Sequence, residues 1–282
     1  MSELSFRDLF YLLRKKMFSF KTIKEDEIKE NEIVNENIWI GDYDSWEEAL
    51  SNCSGYNSKI ILEKCKQSLL KVKNNEYAYE RDSVLFSKIE YNWELLTSIL
   101  LSVKDNKVNV IDFGGSLGST YFQHRSFFKN NHLDVSWSVV EQVDFVNCGN
   151  ENFKDEFLQF YFKIEDVLKM NKSNFIILSS VLPYLKDPYG ILDVIIKNKI
   201  EYIFIDKTLM FKDEKEIITK QIVPDFIYKA QYPCWVLDYN NVKINILKSY
   251  DLIFEFTPYN GKTAIMNNQV ANFYGVLFKI KG

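Results

Sequence analysis

The pattern of apolar and polar positions divides the chain into a helical first third and a remainder in which strands and helices alternate. Apolar residues recur at helical spacing over residues 58–74 and again over 83–102. Before them, Asp44 or Ser45 stands where an N-cap would precede a short helix starting near Trp46. We therefore predict a helical cap, acting as a substrate lid, over residues 38–104 and an α/β domain over residues 105–282.

Short apolar, β-branched runs dominate the second part of the chain. Helical patterns such as residues 189–198 separate them, and this alternation predicts βαβ units and a parallel sheet. The last two runs, 250–257 and 272–280, have no convincing helix between them and are predicted to pair antiparallel at the edge of the sheet. The other predicted strands are residues 108–112, 135–141, 157–162, 175–180 and 202–206. The predicted sheet thus has seven strands and is mostly parallel.

The first 37 residues combine a basic amphipathic segment with a linker. Bulky apolar residues between Leu4 and Phe18 are interleaved with basic residues from Arg7 to Lys21, which predicts a short basic helix. Such a helix can dock on the protein's own core, or it can lie on a membrane surface as a peripheral contact. It is too short to span a bilayer, and residues 24–37 are predicted to be a linker or loop.

Composition narrows the classes of partner and compartment. The chain has 35 basic and 39 acidic residues, a net charge of −4, so no nucleic-acid partner is expected. Four cysteines are scattered without a Cys-x-x-Cys pair and no secretory signal is evident, which favours reduced thiols in a cytoplasm. Only two histidines are present, so we expect no metal site.

The residues from Val108 to Thr120 form the stretch with the clearest chemistry. A β-branched run ends in Asp112, crosses a turn containing Gly114, Gly115 and Gly118, and enters an amphipathic segment. This order predicts a strand, a tight loop and a helix N-terminus. Glycines let a ligand approach the backbone closely, and the free N–H groups of a helix start offer donors. The stretch therefore predicts a nucleotide-binding corner.

The same corner lacks the marks of phosphate-binding loops. A P-loop ends in Gly-Lys-Ser/Thr, but Gly118-Ser119-Thr120 has no lysine, so ATP or GTP hydrolysis is not expected. A dinucleotide fold uses GxGxxG, whereas the pattern from Gly114 is GGxxG. Dinucleotide-binding folds do not usually end in an antiparallel strand pair either, so the sequence gives only weak support for NAD as the ligand.

Asp112, Gly114, Ser116 and Gly118 resemble the first motif of the class I S-adenosylmethionine (SAM)-dependent methyltransferases, an acid followed by glycines two, four and six residues later. Ser116 replaces the middle glycine and Gly115 precedes it. The resemblance covers residues 108–280. It implies a Rossmann-like fold over the α/β domain, with SAM as methyl donor and S-adenosylhomocysteine (SAH) as product.

That resemblance also implies roles for residues at the ends of the later strands. Glu141, followed by Gln142, matches the acid that accepts hydrogen bonds from the ribose hydroxyls. Glu165 and Asp166 match the place where the family recognises adenine, and Ser179 opens the stretch where substrate and donor meet. The implied donor-binding residues are Asp112, Gly114, Gly115, Ser116, Gly118, Glu141, Gln142, Glu165, Asp166 and Ser179.

A narrower resemblance extends over nearly the whole chain. Five stretches look like a family of bacterial methyltransferases of unsettled substrate, whose genes commonly accompany surface-polysaccharide genes. They are Gly41-Asp42-Tyr43 with Trp46, residues 79–86, residues 112–123, residues 139–142 and residues 232–235. This resemblance implies a sugar, nucleotide-sugar or phosphorylated precursor as acceptor, modified in the cytoplasm or at the inner face of the membrane.

Two residues are candidates for the base that a hydroxyl acceptor requires. A sulfonium donor already carries its leaving group, so the protein must mainly align the acceptor and take one proton. His124 is a candidate because histidine titrates near neutrality, and Asp206, beside Lys207, because it ends a strand. A helix-packed histidine and a loop ion pair are the structural alternatives for these two positions.

Five further residues are predicted to line the acceptor pocket, although core packing is an equal alternative for the aromatic ones. Arg81 among them suits a phosphate or carboxylate. They are Tyr79, Arg81, Tyr184, Tyr232 and Trp235. The expected function is O-methylation of a small polar metabolite. N-methylation, an NAD-dependent dehydrogenase or epimerase acting on sugars, and a non-catalytic cofactor-binding scaffold remain as alternatives.

Overall fold

A computed structural model describes residues 38–54, 58–170, 173–224, 230–258, 262–264 and 269–282. The amphipathic helix and linker predicted for residues 1–37 lie outside these ranges. The elements in chain order are β1 (Ile38–Tyr43), α1 (Trp46–Ser51), α2 (Ser58–Lys73), β2 (Tyr79–Arg81), β3 (Val84–Phe86), α3 (Trp93–Ser102), β4 (Lys107–Phe113), α4 (Ser119–Asn130), β5 (Asp134–Val140), α5 (Val143–Asn152), β6 (Leu158–Tyr161), α6 (Ile164–Met170), β7 (Phe175–Ser179), α7 (Pro188–Lys197), β8 (Tyr202–Phe211), β9 (Ile217–Ile222), β10 (Gln231–Asp238), α8 (Tyr239–Leu247), β11 (Tyr250–Phe256), β12 (Lys262–Ala264) and β13 (Val270–Ile280).

The seven predicted strands form the centre of the sheet in the order β6-β5-β4-β7-β8-β13-β11. The first five are parallel, whereas β13 runs antiparallel to both β8 and β11. The predicted α/β, mostly parallel sheet with a C-terminal antiparallel pair is therefore confirmed. Strand order reverses at β4, between β5 and β7, and the crevice at such a reversal is where α/β sheets bind ligands.

Three further strands, β1, β9 and β10, extend this sheet beyond the crevice and were not predicted from sequence. They pair antiparallel with one another, and β10 joins the second half of β8 through Leu237 opposite Met210. Pro233 within β10 weakens the strand pattern, because proline cannot donate to a sheet ladder. We call β1, β9 and β10 the sheet extension.

The predicted helix over residues 83–102 begins only at Trp93. Ahead of it, β2 and β3 form a hairpin whose two turn residues, Asp82 and Ser83, have φ of 50° and 65°. Two consecutive residues with positive φ suit a tight hairpin turn and are incompatible with a helix. The side chain of Asn92 then accepts a hydrogen bond from the backbone N–H of Leu95 (2.9 Å) and fixes the helix start.

Apolar residues pack on both faces of the central sheet. On one face the sheet contacts α2 to α5, and on the other α6 to α8. In β7, Ile177 faces the first core while Ile176 and Leu178 face the second, as expected for a continuous apolar strand buried on both sides. Among the helices of the described ranges, none is long and apolar enough to cross a membrane.

Candidate functional site

The glycine corner lies at the carboxyl end of β4 and leads into α4, as predicted. Gly114, Ser116 and Gly118 have φ of 74°, 54° and 90°. A Cβ on Gly114 would lie 2.5 Å from a methyl carbon of Val181, and a Cβ on Gly115 would lie 2.4 Å from the carboxyl carbon of Asp112. The loop therefore needs glycine at these two positions, because the side chains of Val181 and Asp112 pack directly against its backbone.

Asp112 is buried beneath this loop. Its carboxylate accepts a hydrogen bond from the indole N–H of Trp137 (3.1 Å), and the side chain is 2% exposed. Burial raises the pKa of Asp112 to about 7, against the opposing effects of Trp137 and of the Lys207 charge. The group is thus poised between its neutral and ionised forms at neutral pH.

Glu141 lies at the end of β5, next to the same loop. Its carboxylate accepts a hydrogen bond from the backbone N–H of Gln142 (2.6 Å). Burial raises the pKa of Glu141, while the backbone groups of Gln142 and Ser116 lower it. The involvement of the Ser116 backbone places this carboxylate beside the glycine loop, so the structure brings these two predicted donor-binding positions together.

Glu80 is a third carboxylate at the corner, and the sequence analysis did not single it out. It lies on β2 and is 4% exposed. Its oxygens accept hydrogen bonds from the hydroxyl of Ser119, the first residue of α4, and from the backbone N–H of Ser83 (2.9 Å). Burial, as the largest effect, raises the pKa of Glu80. The sequence around a glutamate in a short hairpin does not indicate that the side chain is buried. The burial of Glu80 follows from the packing of β2 against α4.

The predicted adenine-binding acids lie one strand further along the edge of the sheet. Glu165 and Asp166 occupy the first turn of α6, just after β6, and Glu165 is exposed. Asp166 forms an exposed ion pair with Lys169 (3.6 Å). Their placement at the carboxyl end of the strands matches the prediction in position, while their adenine contact stays a prediction.

Asp206, the predicted base, ends the parallel part of β8 and is 2% exposed. One carboxylate oxygen accepts hydrogen bonds from the side-chain amide of Asn92 (3.3 Å) and from the hydroxyl of Ser179 (3.5 Å). The ammonium group of Lys207 lies 3.7 Å from the same oxygen. Burial raises the pKa of Asp206, and Lys207 is the largest opposing influence. The structure therefore brings Ser179 and Asp206 together.

Two residues beside Asp206 have a strained backbone. Ser180 and Lys207 have φ of 53° and 48°, in the left-handed region that favours glycine. The N–H of Ser180 donates to the carbonyl of Asp206 (2.9 Å), and its hydroxyl donates to the carbonyl of Lys207 (3.3 Å). Such outliers cluster at functional sites, where the surrounding structure maintains them. Here Ser180 follows the end of β7, and Lys207 lies within β8 where its parallel pairing with β7 stops.

His124, the other predicted base, does not have the geometry of a base. Its side chain is fully buried, Nδ1 donates to the carbonyl of Thr120 (2.8 Å) and Nε2 accepts the N–H of Asn92 (3.0 Å). Burial lowers the pKa of His124 to about 4. Because both ring nitrogens are bound to backbone groups, neither is open to a substrate. The structure supports the alternative of a helix-packed histidine.

Two of the predicted acceptor-pocket aromatics lie together. The rings of Tyr184 and Tyr232 meet edge to face, with centroids 5.4 Å apart. The hydroxyl of Tyr184 donates to the side-chain carbonyl of Gln221 (2.9 Å), a buried residue of β9. These contacts connect the segment after β7 with the sheet extension, which thereby becomes a wall beside the crevice.

The other two aromatics pack against neighbouring rings. Trp235 donates its indole N–H to the carbonyl of Leu185 (3.1 Å) and stacks on Trp46 (centroids 6.5 Å apart). Tyr79 is 1% exposed and stacks on Phe86 across the hairpin, with centroids 4.5 Å apart. Tyr79 therefore matches the packing alternative stated for it, whereas Trp235 is half-buried and its place in the pocket lining stays a prediction.

Arg81 remains a candidate for ligand contact. Its guanidinium carbon lies 5.7 Å from the centroid of the Tyr79 ring, and the residue is half-buried. The positive charges of Lys207 and Arg81 both contribute to lowering the pKa of His124, so both cations lie near that histidine. Of the two, Lys207 also contacts Asp206, at 3.7 Å.

The described part of the chain contains no group of three or more His, Cys, Asp or Glu arranged to hold a metal ion. The four cysteines, Cys53, Cys65, Cys148 and Cys234, are free thiols.

Comparison with known proteins finds no matching family model and no matching curated protein. Among solved structures, the chain is similar to the glycopeptide N-methyltransferase MtfA complexed with sinefungin (TM-score 0.45, 9% identity, covering 70% of this chain and 89% of that chain). It is also similar to MccD protein (TM-score 0.45, 11% identity, 67% and 97%) and to human N-acetylserotonin methyltransferase in complex with SAM (TM-score 0.41, 13% identity, 66% and 51%). At TM-scores below 0.5, these similarities do not identify the chemistry of the chain.

Proposed function

We propose that the chain is a SAM-dependent methyltransferase acting on a small polar acceptor. The observation that supports this most directly is the charge around the glycine loop. Glu80 and Asp112 are buried and Glu141 is half-buried there. None of the three forms an ion pair with any residue that the structure describes.

The charge of Lys207 lowers the pKa of Asp112 and that of Arg81 lowers the pKa of Glu80, but within the described residues neither cation forms an ion pair with these two acids. Carboxylates shielded from water without an ion-pair partner are costly, and this cost favours a ligand that carries positive charge. SAM carries an ammonium and a sulfonium group. NAD and ATP would instead bring phosphates to these acids and would be repelled. The charge of the corner therefore favours SAM over the dinucleotide alternative.

The residues at the corner fit such a donor. The packed backbone at Gly114 and Gly115 leaves no side chain between loop and ligand, and Glu141 can accept hydrogen bonds from two ribose hydroxyls. When bound, SAM supplies an electrophilic methyl group on a sulfonium leaving group. The protein's task is then to orient an acceptor and to take its proton.

Asp206 is the residue we propose for that proton. Its raised pKa makes it a better base than an exposed aspartate, and Asn92 and Ser179 hold one of its oxygens in place. A hydroxyl acceptor needs such a base, whereas a neutral amine attacks without one. This difference favours O-methylation, with N-methylation as the second candidate.

Arg81 and Lys207 indicate the character of the acceptor. Lys207 lies 3.7 Å from the proposed base, and the charge of Arg81 reaches the neighbouring His124, so the two cations suit an acceptor that carries a phosphate or carboxylate near its hydroxyl. A nucleotide-sugar or phosphorylated precursor of a surface polysaccharide has that character, and the sequence resemblance points to the same class.

Calorimetric titration of the purified protein with SAM, SAH, NAD and ATP tests the donor assignment. We expect SAM and SAH to bind and NAD not to bind. Binding of NAD without binding of SAM would refute the proposal.

Incubation with methyl-labelled SAM and a metabolite extract then tests turnover, and mass spectrometry and NMR of the product distinguish O- from N-methylation. A bound donor that is never demethylated would identify a scaffold instead.

A further inference from the structure

We propose that Glu80 is the counter-ion of the ammonium group at the amino-acid end of the donor. This inference rests on the proposed function, because it presupposes an S-adenosyl ligand at the glycine loop. It gives the β2–β3 hairpin a binding role and places a donor-binding acid outside the α/β domain in which the sequence predicted all of them.

The position of Glu80 relative to the loop is fixed from two sides. Ser119 donates from the first residue of α4 and Ser83 donates from the hairpin turn. The preceding residue, Gly118, occupies the N-cap position of α4 and offers no side-chain cap. Glu80 therefore lies at the exit of the glycine loop, held by two separate elements.

Cys65 lies between the hairpin that carries Glu80 and the glycine loop. The Sγ of Cys65 lies 3.6 Å from the hydroxyl of Ser83. The charge of Glu80 and a hydrogen bond to Ser116 both affect the pKa of this thiol. Ser83 and Ser116 thus approach one thiol from the hairpin and from the glycine loop, and the charge of Glu80 acts on the same thiol.

The hydrogen bonds of Glu80 come from neutral groups, and although the charge of the adjacent Arg81 lowers the pKa of Glu80, the two side chains do not form an ion pair. A carboxylate has about four acceptor positions, and the two donors to Glu80 within the described residues, the Ser83 N–H and the Ser119 hydroxyl, are neutral. The start of α4 favours a negative charge, but only partly. Glu80 makes no ion pair within the described residues, although it is almost completely removed from water. An ammonium group from a ligand would supply both the missing donors and the missing charge.

A purely structural role, in which Glu80 only caps α4, makes a different prediction from the proposed one. A cap stabilises the protein whatever ligand is bound. A counter-ion discriminates between SAH and its desamino analogue, which keeps the carboxylate, sulfur and adenosine but lacks the ammonium group. Because the two ligands differ in that one group, the ratio of their affinities isolates the proposed contact.

Glu80→Gln is the matched variant. The new amide oxygen can accept the Ser83 N–H and the amide NH2 can donate to the Ser119 hydroxyl, so both hydrogen bonds persist and only the charge is lost. Calorimetry is expected to show that wild type binds SAH roughly 10- to 100-fold more tightly than the desamino analogue, the range of a charge-assisted hydrogen bond. In Glu80→Gln, most of this difference should disappear through weaker SAH binding.

Two further variants separate charge from structure. Ser119→Ala removes one hydrogen bond but keeps the carboxylate, and we expect it to keep the discrimination. Glu80→Asp keeps the charge on a shorter stem and should discriminate better than Glu80→Gln; it also serves if Glu80→Gln does not fold in a melting experiment. The role of Glu80 is overturned if both Glu80 variants discriminate between SAH and the desamino analogue as well as wild type does, or if wild type does not discriminate between them. The proposed function still stands in either case, provided that wild type binds SAH. Failure of wild type to bind SAH overturns both.

Discussion

The backbone N–H of Asn92 donates a hydrogen bond to Nε2 of His124 over 3.0 Å. The side chain of the same asparagine caps α3 and reaches Asp206 within β8. One residue thus connects the start of α3, the middle of α4 and the proposed base. His124 secures this connection and must remain neutral to do so, because protonated Nε2 cannot accept the Asn92 N–H.

The burial of neutral His124 predicts a loss of stability in acid. Its pKa is about 4 in the folded protein and about 6.5 in the unfolded chain, so its contribution is complete above 6.5 and is lost as pH falls towards 4. Between pH 7 and pH 5 we expect this group to cost about 2 kcal/mol of unfolding free energy. Urea unfolding at the two pH values should show that His124→Phe removes this part of the pH dependence.

His132→Asn is the control for that experiment, because His132 is exposed and its φ of 55° is one that asparagine tolerates. This variant should keep the pH dependence of wild type. A pH dependence that persists unchanged in His124→Phe would show that some other group is responsible.

Gly115→Ala is predicted to damage donor binding through a steric conflict. The added methyl would lie 2.4 Å from the carboxyl carbon of Asp112, so either the loop or the buried acid must move. We expect SAH affinity to fall by about tenfold or more, as when roughly 1.4 kcal/mol or more of binding is lost. Gly282→Ala is the matched control, since nothing lies within 4 Å of its added Cβ. Equal SAH affinity in both variants would show that the glycine corner is not part of the donor-binding site.

The pKa of Asp112, about 7 in the ligand-free protein, predicts proton release on donor binding. A cationic ligand favours the ionised carboxylate, so binding near neutral pH should release a fraction of a proton, up to about one. Calorimetry in two buffers with different ionisation enthalpies measures this number. Asp112→Asn keeps an acceptor for Trp137 but should release fewer protons. Proton uptake by wild type would contradict the charge argument for SAM.

Asp112 also predicts a stability effect of the opposite sign to that of His124. Its folded pKa lies above the ordinary value of 3.8, so the unliganded protein loses stability as pH rises from about 4 through about 7. Asp112→Asn should abolish this loss, and urea unfolding of the ligand-free variant between pH 5 and pH 8 tests it. A loss in the variant as large as that of wild type would show that Asp112 is ionised without cost.

Asp206→Asn is predicted to separate catalysis from donor binding. The amide oxygen keeps an acceptor for Asn92, but the group can no longer take a proton, and labelled methyl transfer should fall by about 100-fold or more. SAH affinity should stay close to that of wild type. Asp193→Asn, an exposed aspartate on α7, is the control. Full transfer activity in Asp206→Asn would mean that the acceptor needs no base from this strand.

Structural features that are determined by residues close together in the sequence could be predicted from the sequence. The β-branched run, the glycines and the helix start between Val108 and Thr120 are local, and so is the continuous apolar run of β7. The terminal antiparallel pair was predicted because two runs follow each other without a helix between them. By contrast, the turn at Asp82 and Ser83 depends on positive φ in residues other than glycine, which a sequence pattern does not reveal.

The sequence by itself therefore determined the central sheet, the glycine corner and the acids Asp112 and Glu141, because local periodicity and strand ends place them. Tertiary structure alone decided the chemistry around them. It buried Glu80 against Ser119, 39 positions away, and bound His124 to backbone groups, and it brought Asn92 to Asp206 across 114 positions. Burial and partner identity set the charge state of each group, and both depend on contacts between distant parts of the chain that no local pattern encodes.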